Sequence, residues 1–77
     1  MSSEQVAALN KIIAMIDKKA GEYKNDYMRL TTAQRVAQKK LILDLVDDAT
    51  ELGNAIKPVP VEVLGDLKQL TQELSRL

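Results

Sequence analysis

Residues 6–30 read VAALNKIIAMIDKKAGEYKNDYMRL, and their apolar residues repeat with a constant period. The spacings alternate between three and four residues, which gives the period of about 3.5 that is typical of helices packed side by side. The positions that share this spacing are Val6, Leu9, Ile13, Ile16, Ala20, Tyr23, Tyr27 and Leu30. We therefore predict a first helix over residues 3–30. Ser2 and Gln5, at its start, have the spacing of a capping box.

The segment Lys18-Lys19-Ala20-Gly21 offers a second interpretation of the first helix. Cations in a last helical turn followed by glycine are typical of a helix end. The apolar period continues through Gly21 without a change of phase, and this favours one continuous helix. A kink at Gly21 is the alternative.

A second helix is predicted over residues 32–56. It begins at Thr31 and Gln34, which again have capping-box spacing, and it ends before Pro58, because proline lacks a backbone donor and disfavours helix in the residue before it. Its best apolar stripe consists of Ile42, Leu45, Ala49, Leu52 and Ile56, and Leu41 and Val46 add a second stripe that could face a third helix.

A third helix is predicted over residues 60–77, with Pro60 suited to its first turn. Its apolar stripe consists of Val63, Leu67, Leu70, Leu74 and Leu77. The connection between the first two helices is only two or three residues long, so these helices should be antiparallel neighbours. The predicted fold is therefore all-α, a small antiparallel, up-down-up three-helix bundle with coiled-coil-like heptad packing.

A chain of 77 residues has room for one domain, and a core of that size gives marginal stability. Self-association would add buried surface, so we expect a homodimer. The first helix carries a longer apolar stripe than the third helix can cover. This difference predicts a dimer contact near Tyr23, Tyr27 or Leu30.

The composition argues against catalysis and metal binding. The chain has no cysteine and no histidine, which are the commonest zinc ligands, and histidine is the most frequent acid–base group. Two pairs of carboxylates are four residues apart and share a helical face, namely Asp44 with Asp48 and Asp47 with Glu51. Each pair supplies too few converging oxygens for a hard cation. We expect no enzyme activity, no cofactor and no metal site. No apolar run is long enough to cross a bilayer, so we expect no membrane partner. We expect a cytoplasmic location.

Charge is segregated along the chain although the formal net charge is zero. Residues 18–40 carry a net charge of +5, whereas residues 41–77 carry −4. The turn between the first two helices should gather the positive segment into a basic tip with two tyrosines. Cations in the first half of a helix oppose its macrodipole, most clearly at Arg35, which suggests a role other than helix stability. The basic tip, as predicted, consists of Lys18, Lys19, Tyr23, Lys24, Tyr27, Arg29, Arg35, Lys39 and Lys40.

These features predict a non-catalytic protein–protein interaction module that acts through apolar helix surface and the basic tip. The alternative is a small nucleic-acid-binding regulator that uses the same tip, with lysines and arginines on phosphates and tyrosines stacked on bases. The zero net charge counts against this alternative, because nucleic-acid-binding domains usually carry a clear positive excess.

Overall fold

The computed structural model describes residues 3–77, so Ser2 and the capping box predicted there lie outside the described residues. Within this range the chain forms three α-helices and no strand. The helices are α1, Ser3–Asp26, α2, Thr32–Ala55, and α3, Val61–Ser75. They contact one another as a bundle. The prediction of an all-α protein with three helices is confirmed.

Helix α1 passes through Gly21 without interruption, as the apolar period predicts. It ends at Asp26, earlier than predicted, and a 3₁₀ turn follows over Tyr27–Arg29. The backbone N–H of Leu30 still donates to the Asp26 carbonyl at 3.1 Å. Leu30 and Thr31, which follow this 3₁₀ turn, have extended backbone, and Thr31 caps the next helix. The apolar period runs through both helix types and could not reveal this change.

Helix α2 begins with the predicted capping box. The Gln34 backbone N–H donates to the Thr31 hydroxyl at 3.1 Å, and the Thr31 N–H donates to the Gln34 side chain at 2.9 Å. The helix ends one residue before the predicted Ile56. Helix α3 begins just after Pro60, whose carbonyl accepts from the Leu64 N–H at 3.1 Å, and it ends at Ser75 instead of residue 77.

The core agrees with the predicted stripe on α1, where the buried positions are spaced by seven, four and three residues. On α2 the buried stripe is rotated from the prediction, since Val46 and Gly53 are buried whereas Leu45 and Leu52 are only half-buried. The fully covered apolar residues are Leu9, Ile16, Ala20, Tyr23, Ile42, Val46, Ala49, Ile56, Leu67 and Leu74.

Gly53 explains the rotation of α2. A Cβ atom at this position would lie 2.8 Å from Cδ2 of Leu64, so the absence of a side chain allows α3 to approach α2 closely. The approach draws the buried stripe of α2 toward α3. Ile42, Ala49 and Ile56 of the predicted stripe are fully covered, whereas Leu45 and Leu52 pack against the core from half-buried positions.

Helix α3 also reaches the end of α1. Lys24 forms an ion pair with Glu73 at 3.1 Å, and the Tyr27 hydroxyl donates to the Leu77 carbonyl at 2.7 Å. Although α3 is shorter than α1, these contacts cover the tip on the α3 side. This coverage differs from the expectation that α3 would leave the end of α1 uncovered. No helix within residues 3–77 is both long enough and apolar enough to cross a membrane.

Candidate functional site

The two tyrosines of the basic tip are engaged within the fold. Tyr23 is 1% exposed, and its ring meets that of Tyr27 edge to face, with centroids 5.7 Å apart and planes at 88°. Tyr27 is half-buried, and its hydroxyl is bonded to the Leu77 carbonyl. Both rings are thus engaged in contacts within the fold. A dimer contact at Tyr23 is also incompatible with its burial.

Arg35 is held by the end of α1. Its Nε–H donates to the Tyr27 carbonyl at 2.9 Å, and its guanidinium carbon lies 4.0 Å from the centroid of the Tyr27 ring. These contacts supply a structural reason for a cation near the N-terminus of α2, where the macrodipole disfavours it. Arg35 joins the two helices at the tip.

Two of the remaining cations form surface ion pairs. Lys24 pairs with Glu73, and Lys40 pairs with Asp44 at 3.0 Å within α2. Among residues 3–77, no ion pair is formed by four other cations of the basic tip, Lys18, Lys19, Arg29 and Lys39. These four are the tip residues whose charge is available to a partner.

Five of the nine residues of the basic tip line one of two separate grooves, four in the first and Lys19 in the second. The first groove includes Tyr27, Arg35, Lys39 and Leu77. The second lies between α1 and α2 and contains no α3 residue. It is lined by Lys19, Glu22, Asp26, Gln38, Leu41 and Ile42. In this second groove the single lysine stands beside two carboxylates, so the groove is not a simple anion site.

The second groove opens onto an apolar surface that the sequence interpretation missed. Met15 is one helical turn before Lys19 and lies on the same side of α1, and Leu45 is one turn after Leu41 on α2. Met15 is 43% exposed and Leu41 is 48% exposed. Half-buried apolar residues lie on the same sides of the two helices, Ile12 on α1 and Leu45 and Leu52 on α2. We call the surface formed by Ile12, Met15, Leu41, Leu45 and Leu52 the hairpin face.

Helix α3 packs against a different side of α1 from this face. Ile13 and Asp17 of α1 line a groove with Val63, Leu67 and Leu70, and Lys24 on the same side of α1 pairs with Glu73. The signals for the hairpin face were present in the sequence, as the extra stripe that contains Leu41. The sequence could not show that α3 would dock on a different side from this residue.

Within residues 3–77, no three histidine, cysteine, aspartate or glutamate side chains are grouped so that they could hold a metal ion. Comparison of the chain with known protein families, curated proteins and solved structures finds no significant match.

Proposed function

We propose that this protein is a non-catalytic protein-interaction module that binds its partner through the hairpin face, with the basic tip contributing charge. The observation that carries the proposal is the apolar character of the hairpin face. Three of its five residues are only half-buried and two are exposed. Contiguous apolar surface of this kind is typical of sites where a protein partner binds.

The proposal includes an antiparallel, up-down-up arrangement with heptad packing. It is supported by Arg35, which contacts Tyr27 across the turn between α1 and α2. It is also supported by the pairing of Lys24 with Glu73, which joins the later parts of α1 and α3. In this arrangement α1 and α2 run in opposite directions. Met15, one turn before Lys19 on α1, therefore lies at the same height as Leu45, one turn after Leu41 on α2. We place the module in the cytoplasm, an expectation based on composition.

Nucleic acid is the second candidate partner. It is favoured by the four cations of the basic tip that form no ion pair within residues 3–77. The engagement of both tyrosines removes the stacking that single-strand binding usually employs. Contacts would then be limited to phosphates, which favours a protein partner over this alternative.

Site-specific photo-crosslinking tests the proposal. A benzophenone amino acid replaces Leu41 on the hairpin face, and in a matched variant it replaces Val36, which is 63% exposed on the same helix but lies in the first groove. We expect protein adducts from position 41 in a lysate of the source cells, and far fewer from position 36. Equal adducts from the two positions, or adducts from neither, would contradict a protein-binding role for the hairpin face.

A further inference from the structure

Opposite charges border the two long edges of the hairpin face. On α1, Lys11 is four residues before Met15 and Lys18 is three residues after it, so both lysines flank that side chain. On α2, Asp44 is three residues after Leu41 and Asp48 is three residues after Leu45. All four charged residues are exposed. Two further charges lie beside these edges, because Lys40 pairs with Asp44 at 3.0 Å and Glu22 stands one turn after Lys18. Between these limits the apolar strip has a basic edge on α1, from Lys11 to Lys18, and an acidic edge on α2, most clearly at Asp48.

We propose that the hairpin face binds a second copy of this chain, in a two-fold dimer in which α1 of each copy lies over α2 of the other. This inference rests on the proposed function and names its partner. A two-fold axis parallel to the helices brings the basic edge of one copy onto the acidic edge of the other. Both interfaces are then equivalent, as an isologous dimer requires.

The heights of the charges along the hairpin support this arrangement. Lys19 and Leu41 line the same groove, so in an antiparallel hairpin Lys18 lies near the level of Asp44, and Lys11 lies near that of Asp48. Across the dimer, each lysine meets the aspartate of its own level. The other two-fold arrangement places α1 on α1 and would oppose lysine with lysine, which is unfavourable.

The size of the face is sufficient for a dimer. A helix of 24 residues is about 36 Å long at roughly 1.5 Å per residue. Two helices side by side, each roughly 10 Å across with its side chains, are about 20 Å wide. A face of these dimensions would bury roughly 700 Å² per copy, or about 1,400 Å² in total, within the range of about 1,200–2,000 Å² for specific complexes.

Sedimentation equilibrium of the full chain, from low micromolar to millimolar concentration, tests the dimer. We expect a reversible dimer with a dissociation constant of tens of micromolar. Leu41→Glu should weaken it by at least about tenfold, because a carboxylate would be buried at the centre of the contact. Val36→Glu, the matched control, should change the constant by less than about threefold. Met15→Glu gives an independent test if Leu41→Glu lowers the helical circular dichroism signal.

A charge exchange tests the orientation. Lys11→Glu and Asp48→Lys should each weaken the dimer by about tenfold, since each change replaces attraction by repulsion at two symmetric places. The double variant should recover to within about threefold of the original. Failure to recover would overturn the arrangement of α1 over α2.

Two results would overturn self-association itself, namely a monomeric mass at millimolar concentration and a dimer insensitive to both glutamate substitutions. The crosslinking experiment separates this failure from failure of the proposed function. A monomer that still forms adducts with a different protein from position 41 would overturn the second copy as partner and leave the interaction module. A monomer that forms no adducts would overturn both.

Discussion

The guanidinium carbon of Arg35 lies 4.0 Å from the centre of the Tyr27 ring, and its Nε–H donates to the carbonyl of the same residue at 2.9 Å. Through these two contacts, the first turns of α2 bind the 3₁₀ turn that ends the α1 segment. The Tyr27 ring in turn meets the buried Tyr23. One cation of the basic tip is thus a structural part of the hairpin.

Arg35→Ala should destabilise the protein by about 1–2 kcal/mol, from the lost hydrogen bond and cation–π contact. Arg35→Lys should recover only part of this loss, because an ammonium cannot stack as a planar group. Urea unfolding followed by circular dichroism measures both changes. Lys39→Ala, in the same groove, is the control and should change stability by less than about 0.5 kcal/mol. Equal effects of the two alanine variants would show that the Arg35 contacts contribute nothing specific.

The rotated stripe of α2 predicts unequal costs for two neighbouring truncations. Ile42→Ala should cost about 2–5 kcal/mol, since this side chain is 1% exposed and its loss leaves a cavity. Leu45→Ala should cost about 1–2 kcal/mol, because its side chain is only half-buried. Unfolding at low micromolar concentration measures both costs in the monomer. Equal losses at the two positions would mean that both side chains are fully buried, as the stripe predicted from the sequence requires.

The glycines Gly21 and Gly53 should respond differently to alanine. No atom lies within 4 Å of a Cβ added at Gly21, so Gly21→Ala should stabilise α1 by about 0.5–1 kcal/mol through helix propensity. At Gly53 the added Cβ meets Leu64 at 2.8 Å, and the overpacking should cancel that gain or produce a net loss of about 1–2 kcal/mol. Thermal unfolding of the two variants gives the comparison. A gain at Gly53 equal to that at Gly21 would refute the close approach of α3.

The capping box at the start of α2 gives a further prediction. Thr31→Ala should cost about 1 kcal/mol, because the Gln34 N–H loses its acceptor. Thr31→Ser keeps the hydroxyl and should cost less than half of that. Thr32→Ala, one residue into the helix, serves as the control. Urea unfolding would contradict the prediction if Thr31→Ala and Thr32→Ala had the same effect.

Nucleic acid binding should be undetectable at 50 mM salt by fluorescence anisotropy with a labelled single strand or duplex. If the four cations without ion pairs bound phosphates, log affinity would fall with log salt at a slope of roughly −2 to −4. Lys39→Ala would then reduce the steepness by about one unit or less, whereas Lys68→Ala on α3 would leave it unchanged. Such a slope with such a response would favour the nucleic-acid alternative. Tyr23→Ala is no test of stacking, because this ring is buried and its removal perturbs the core.

The local features of the fold could be predicted from the sequence. The spacing of apolar residues predicted α1 through Gly21, and the pair Thr31 and Gln34 predicted the start of α2. These signals depend on residues three and four positions apart, which are neighbours in any helix. The end of α1 could not be predicted in the same way, because the last apolar spacing, three residues from Tyr27 to Leu30, fits both an α-helix and a 3₁₀ turn.

The candidate site was predicted less well for a related reason. Burial of Tyr23 and the contacts of Tyr27 and Arg35 assign these three residues of the predicted basic tip to the structure. Such assignments depend on which neighbours arrive from elsewhere in the chain. Leu77, which accepts from the Tyr27 hydroxyl, is 50 residues away in sequence.

The amino-acid sequence by itself determined that this chain forms three helices and that α2 begins at the capping box of Thr31 and Gln34. It also determined how the charges are distributed along the chain. Tertiary structure alone decided which apolar residues of α2 are fully covered. The covered set takes Ile42, Ala49 and Ile56 from one predicted stripe and Val46 from the other. Residues of both stripes satisfy the helical period, so local spacing cannot choose among them. The choice follows from the docking of α3 against Gly53, which buries Val46 and leaves Leu41 and Leu45 on the hairpin face.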